Sequence, residues 1–147
     1  MRIYIGADHA GYEMKEALQV FLKETGHEVT DLGTFSEEAM DYPLIAREVA
    51  EKVFENEGSM GVLVCGSGEG VCMTANKTRG VRAALADTPE RAASSREHNN
   101  ANVLCLGARF TELEVAKQIV TTFLETEFSD AERHQRRVTM IEGGEKL

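Results

Sequence analysis

The run Cys65-Gly66-Ser67-Gly68-Glu69-Gly70 sets a thiol, a hydroxyl and a carboxylate among alternating glycines, directly after the apolar run Gly61–Cys65. A glycine-rich turn between a strand and a helix lets backbone N–H groups point at an anion, so this loop suits a phosphate or an enediolate. It lacks the spacing of the dinucleotide fingerprint and the Lys-Ser/Thr of a P-loop, and the same glycines would also serve a plain tight turn. A thiol at the strand end, facing those amides and a helix start, is favoured as the thiolate and can take a carbon-bound proton. Cys65 can equally be a small buried hydrophobe, the reading that fits Cys72 and Cys105.

Other reactive types fall at comparable places. Asp8 and His9 follow the apolar run Ile3–Ile5; Asp8 can handle a hydroxyl proton and His9 a phosphate, or Asp8 can cap a helix beginning near Tyr12. His98 closes a polar helix and precedes Asn99-Asn100. An imidazole there can give and take protons near neutrality, or it can simply be solvated. Gly107 and Arg109 follow the run Val103–Leu106. Arg133-His134-Gln135-Arg136-Arg137 puts three arginines in five residues of an acidic chain. Arg133 and Arg137 share a helix face at i, i+4, which suits a two-fork phosphate clamp or a solvated face paired with Glu132. Asp41-Tyr42-Pro43 reads as a turn into a helix.

The elements that must position these residues are legible as alternating patterns. Apolar runs recur at Ile3–Ile5, Val29–Leu32, Gly61–Cys65, Val81–Ala86 and Val103–Leu106. Between them lie helical stripes: Met14, Ala17, Leu18, Phe21 and Leu22, closed by Gly26; Ile45, Ala46, Val49, Ala50, Val53 and Phe54, between Pro43 and Gly58; and Ile119, Val120 and Phe123 within Ala116–Leu124. This alternation predicts an α/β domain with a parallel sheet covered by helices. Val62-Leu63-Val64 and Val103-Leu104 are nearly all apolar, as central strands buried on both faces are. In such sheets ligands bind beyond the carboxyl ends of the strands, where Asp8, His9, the glycine-rich loop and Arg109 all fall.

A chain of 147 residues predicts a single domain spanning 1–147, with Glu142–Leu147 as a flexible tail. The net charge of −9 repels phosphate backbones and anionic lipid, so neither nucleic acid nor membrane is an expected partner. Three cysteines with no CxxC pair and no zinc-finger spacing predict neither disulfides nor a structural zinc site, and no partner for a redox thiol. Met1 leads directly into Arg2-Ile3-Tyr4-Ile5, and no apolar stretch reaches eighteen residues, so the cytoplasm is the expected compartment.

Taken in order, Gly6-Ala7-Asp8-His9-Ala10-Gly11, Asp31-Leu32-Gly33-Thr34, Asp41-Tyr42-Pro43, Cys65 through Gly70, Ala75-Asn76-Lys77, Gly80 through Ala84, His98 through Val103 and Arg133 through Arg137 resemble the type B ribose-5-phosphate isomerase family. The match runs from Arg2 to about Val138. The resemblance implies a Rossmann-like three-layer αβα sandwich with a five-stranded parallel sheet, and homodimers or homotetramers whose active sites are shared between subunits. It implies interconversion of D-ribose 5-phosphate and D-ribulose 5-phosphate, with no metal and no cofactor. Cys65 would be the base moving the proton between C1 and C2, while Ser67 and the amides of Gly66, Gly68, Glu69 and Gly70 hold the cis-enediolate. His98 would open the sugar ring with help from Asn99, and Asp8 would handle a sugar hydroxyl. Tyr42 would contact substrate, and His9, Arg109, Arg133 and Arg137 would bind phosphate.

Two positions depart from the family pattern. Ser67 stands where many members carry threonine, a change that keeps the hydroxyl. Another branch uses a glutamate one position after Gly70, where this chain has Val71, so the base falls to Cys65. A six-carbon substrate such as allose 6-phosphate or galactose 6-phosphate is the neighbouring alternative. A non-catalytic sugar-phosphate or nucleotide-binding module is the alternative of a different class.

Overall fold

The apolar runs of the sequence become the strands of one sheet. In the computed structural model, which describes residues 1–144, these are β1 (Arg2–Ala7), β2 (Glu28–Asp31), β3 (Met60–Cys65), β4 (Ala83–Leu85) and β5 (Val103–Gly107). All neighbours pair in parallel, in the order β2-β1-β3-β5-β4. Every residue of β3 and β5 is buried, as expected of central strands, whereas β2 and β4 are half-exposed edges. The helices are α1 (Tyr12–Glu24), α2 (Tyr42–Glu55), α3 (Glu69–Ala75), α4 (Pro89–Asn99), α5 (Leu113–Glu125) and α6 (Glu132–Ile141), with a short 3-10 turn over His9–Gly11.

The pleat of the strands sorts their side chains between two cores. Ile3, Ile5, Val62, Val64, Leu104 and Leu106 face α1, α4 and α5, where Leu18, Ala92, Ile119 and Phe123 meet them. Tyr4, Leu63, Cys65, Val103 and Cys105 face α2 and α3, against Val49, Val53, Val71 and Ala75. This is the three-layer αβα sandwich, with α6 lying outside on α4. Phe123 is fully buried, so truncating it to alanine costs about 3–5 kcal/mol in lost transfer energy and a cavity.

Three local features depart from the sequence pattern. The run Val81–Ala86 forms a ladder only at Ala83–Leu85: just before it Arg82 N donates to the Asn102 side chain instead of a strand carbonyl, at 2.8 Å, and Ala83 N, within the ladder, donates to Asn76 Oδ1 at 2.8 Å. Helix α4 shows no apolar stripe because it buries just Ala92 and Arg96. Instead it is set by Pro89 in its first turn and by Thr88, whose Oγ1 accepts from Arg91 N at 3.2 Å. Lys15, on the helix read as a simple apolar stripe, is fully buried and paired with Asp31 at 2.5 Å and Glu16 at 2.6 Å.

The expected tail starts at Glu142, whose carboxylate pairs with Arg82, while Gly143 N and Gly144 N donate back to Met140 O and Thr139 O. The remainder of that tail, residues 145–147, lies outside the described residues. Among the described residues no helix is long and apolar enough to cross a membrane.

Candidate active site

Strand order reverses direction between β1 and β3, and the crevice at their carboxyl ends is where such sheets bind ligands. A cleft of about 450 Å³ opens there, lined by Asp8, His9, Ala10, Tyr42, Cys65, Gly66, Ser67, Glu69, Gly70, Met73 and Arg109. The residues come from the end of β3, the turns after β1, β3 and β5, the start of α2 and the length of α3 as far as Met73.

Cys65 ends β3 with its side chain toward α3, and it is 4 % exposed. Gly68 N donates to its Sγ at 3.1 Å, and an N–H aimed at sulfur stabilises negative charge there. Gly68 has φ of +80°, and a Cβ at that position would stand 2.6 Å from Leu85 Cδ1 and 2.8 Å from the Leu106 carbonyl carbon. Only glycine fits such a place, which is why the loop can turn its amide back on the thiol. Gly70 similarly lies under the Tyr42 ring, where a Cβ would meet Cζ at 2.5 Å. The loop is tied to the end of β5 by Ala108 N donating to Cys65 O at 2.9 Å and Arg109 N to Gly66 O at 3.0 Å.

Ser67 Oγ accepts from Glu69 N at 3.2 Å, in the first turn of α3. Asp8 is buried and its Oδ1 accepts from Gly11 N at 3.1 Å, so it does cap the 3-10 turn; it also lines the cleft. His9 is exposed, with Nδ1 accepting from Met40 N at 3.3 Å. Arg109 lies over Gly66, so one guanidinium covers the loop that holds Cys65.

His98, Asn99, Arg133 and Arg137 do not line this cleft. His98 and Asn99 end α4, and Arg133 and Arg137 are exposed on α6. His98 is not merely solvated: its ring lies against that of His134, with centroids 4.5 Å apart, and its Nδ1 is 3.2 Å from Ser94 Oγ. Asn99 lines a separate hollow of about 250 Å³ with Asn76, Arg82 and Ser95. The sequence-predicted residues thus form two groups within the chain.

A model of the ribose/galactose isomerase family matches residues 3–141. The chain belongs to that family. Ribose-5-phosphate isomerase B of Mycobacterium tuberculosis is 44% identical over 96% of this chain and 88% of its own length. The structure of Clostridium thermocellum ribose-5-phosphate isomerase B superposes with a TM-score of 0.94 at 45% identity, covering 97% of this chain and 96% of that one. The Mycoplasma genitalium enzyme, solved with bound ribulose 5-phosphate, superposes with a TM-score of 0.93 at 44% identity over 97% of this chain and 94% of that one.

Within this isomerase, Ala10 and Met73 line the cleft although sequence reasoning did not name them as site residues. Met73 is exposed, and an apolar residue on a short helix offers no chemical signal. Cys72 is half-buried rather than buried; its thiol is shifted down by a hydrogen bond from Cys105, whose own thiol burial pushes far up.

Proposed function

We propose that this isomerase interconverts D-ribose 5-phosphate and D-ribulose 5-phosphate through a cis-enediolate. The observation that carries the reading is the thiol of Cys65 at the cleft wall, accepting the Gly68 N–H beside further loop amides. The names of the relatives support the pentose.

In this reading the Cys65 thiolate removes the C2 proton of the open-chain aldose and returns it to C1. The charge that develops on O1 is met by Ser67 and by the amides of Gly66 to Gly70, of which the Gly68 N–H rests on Cys65 and the Glu69 N–H on Ser67 before substrate binds. Asp8 moves the hydroxyl proton between O1 and O2, and Tyr42 packs against the sugar. His9 and Arg109 bind phosphate from the cleft side, so remote binding energy orients C1 and C2 against the base. A reducing compartment such as the cytoplasm keeps Cys65 the thiol this chemistry needs.

His98 opens the ring with Asn99, and Arg133 and Arg137 complete the phosphate site. Because these four stand apart from the cleft of their own subunit, the reading requires a homodimer, or a homotetramer built from such dimers, in which each cleft receives them from a second copy. The family's inclusion of galactose isomerases keeps a six-carbon sugar phosphate as the second reading.

The test is deuterium incorporation from D₂O into ribose 5-phosphate, together with kcat/KM over five- and six-carbon aldose phosphates. Enzyme-dependent incorporation with preference for the pentose is expected. Binding without incorporation would make the protein a sugar-phosphate binding module, and preference for a hexose phosphate would move the substrate.

A further inference from the structure

Of the residues in α6, His134 alone is buried, at 5 % exposure. Its ring meets that of His98 on α4 with centroids 4.5 Å apart and planes inclined by 38°, within the range of favourable aromatic contact. His134 Nδ1 is buried and makes no hydrogen bond among the described residues, so the contact with His98 is not made through that nitrogen. Burial first, then Arg133, His98 and Arg137, move the His134 pKa below its ordinary range, with Glu97 opposing. The ring is therefore the neutral imidazole at neutral pH, which can lie against a second imidazole without charge repulsion.

His98 is otherwise loosely held. Its side chain is 46% exposed. Ser94 Oγ, one turn earlier, stands 3.2 Å from Nδ1, and Nε2 is 3.9 Å from Glu97 Oε2. Ser94 thus restrains one edge of the ring and His134 one face, leaving Nε2 as the nitrogen open to a ligand.

We infer that His134 is a positioning residue for ring opening: its buried ring holds the His98 imidazole with Nε2 presented to the sugar. The inference rests on the ring-opening role proposed for His98. An acid that must meet a ring oxygen at hydrogen-bond distance gains rate from being held there rather than found there. Helix α6 also carries Arg133 and Arg137, so a merely structural His134 would instead act through phosphate binding.

The two directions of the reaction separate these roles. Ribose 5-phosphate closes into a ring through O4, whereas ribulose 5-phosphate stays open because O5, which its C2 carbonyl would need, carries the phosphate. Exchange of the ribulose 5-phosphate C1 proton with D₂O therefore reads the proton transfer without ring chemistry. His134→Ala is expected to lower kcat on ribose 5-phosphate about tenfold while ketose exchange and both KM values stay within about twofold. His134→Leu, which fills the site without an aromatic face, should match it and serves if the alanine variant does not fold. His134→Phe should restore kcat to within about threefold of the parent, since it keeps the face.

Equal loss of both reactions, with weaker competitive inhibition by inorganic phosphate, would overturn the inference in favour of a helix-docking role. So would a phenylalanine variant as poor as the leucine one, or a leucine variant with unchanged kcat. His98→Ala run in parallel separates the premises. If that variant keeps its ribose 5-phosphate kcat, the ring-opening reading falls and this inference with it. If it loses that kcat and keeps ketose exchange while His134→Leu is normal, this inference alone falls.

Discussion

The Gly68 N–H stands 3.1 Å from the sulfur of Cys65, and the residue that supplies it has a φ of +80° that only glycine adopts without strain. Loop conformation and thiol environment are thus one feature. Gly68→Ala should cost about 1–3 kcal/mol from the backbone conformation alone, and the clash with Leu85 and the Leu106 carbonyl adds to it. Thermal denaturation and kcat measured on the same preparation would check this; a variant with parental Tm and kcat contradicts it.

Removing the base is the most direct test of the chemistry. Cys65→Ala should lower kcat by about 10²–10⁴-fold, the usual contribution of a positioned acid or base, with little change in KM. Ribulose 5-phosphate formation followed at saturating aldose reads this, and an alanine variant with full activity removes Cys65 from the role.

The separation of His98 from the cleft makes subunit mixing informative. Cys65→Ala and His98→Ala enzymes, each inactive alone on ribose 5-phosphate, should recover activity when unfolded together and refolded as a mixture. Random pairing gives about a quarter of parental activity if each site draws on two copies. No recovery, with heterodimers verified by mass spectrometry, would show that each subunit builds its site alone.

Buried Lys15 stands against Asp31, whose other oxygen accepts Gly33 N at 2.9 Å in the turn that pairs with Ala7, next to Asp8. Asp31→Ala leaves the ammonium buried beside Glu16 only, and should cost about 3–5 kcal/mol. The urea midpoint measures it. Lys15→Met together with Asp31→Leu should recover much of that loss, since an apolar pair carries no desolvation penalty.

Acid should destabilise the fold before its carboxylates titrate. Burial moves the pKa values of His27 and His134 down, so between about pH 6.5 and their lower folded values the unfolded chain binds protons that the native one does not. Stability is therefore complete above about pH 6.5 and falls as pH drops through that window. Urea midpoints at pH 7.5 and 5.5 should show the decline, and His27→Leu should reduce it. A midpoint that is equal or higher at pH 5.5 refutes the assignment.

Strands β1, β3 and β5 were legible because each is a short apolar run ended by turn residues, and α1, α2 and α5 because each carries an apolar stripe. Helix α4 left no stripe, since its burial consists of one alanine and one arginine. Arg96 is buried there by donating to Thr126 O, Asn100 Oδ1 and Ala101 O, partners that no periodicity foretells.

The succession of motifs carried the resemblance to the family, and the sequence by itself determined the alternation of strands and helices in a parallel sheet and the place of the glycine-rich loop at a strand end. These follow from local patterns, because the side-chain periods of strand and helix and the turn demands of glycine are written within a few residues. What only the tertiary structure decided is which distant residues meet. It set Asp8, Tyr42, Cys65 and Arg109 around one cleft, laid the His98 ring at a tilt against that of His134 elsewhere, and brought Cys72 to Cys105. The reason is that helix and strand packing, not sequence spacing, fixes those encounters: a periodic pattern records that a face is buried but not which face covers it.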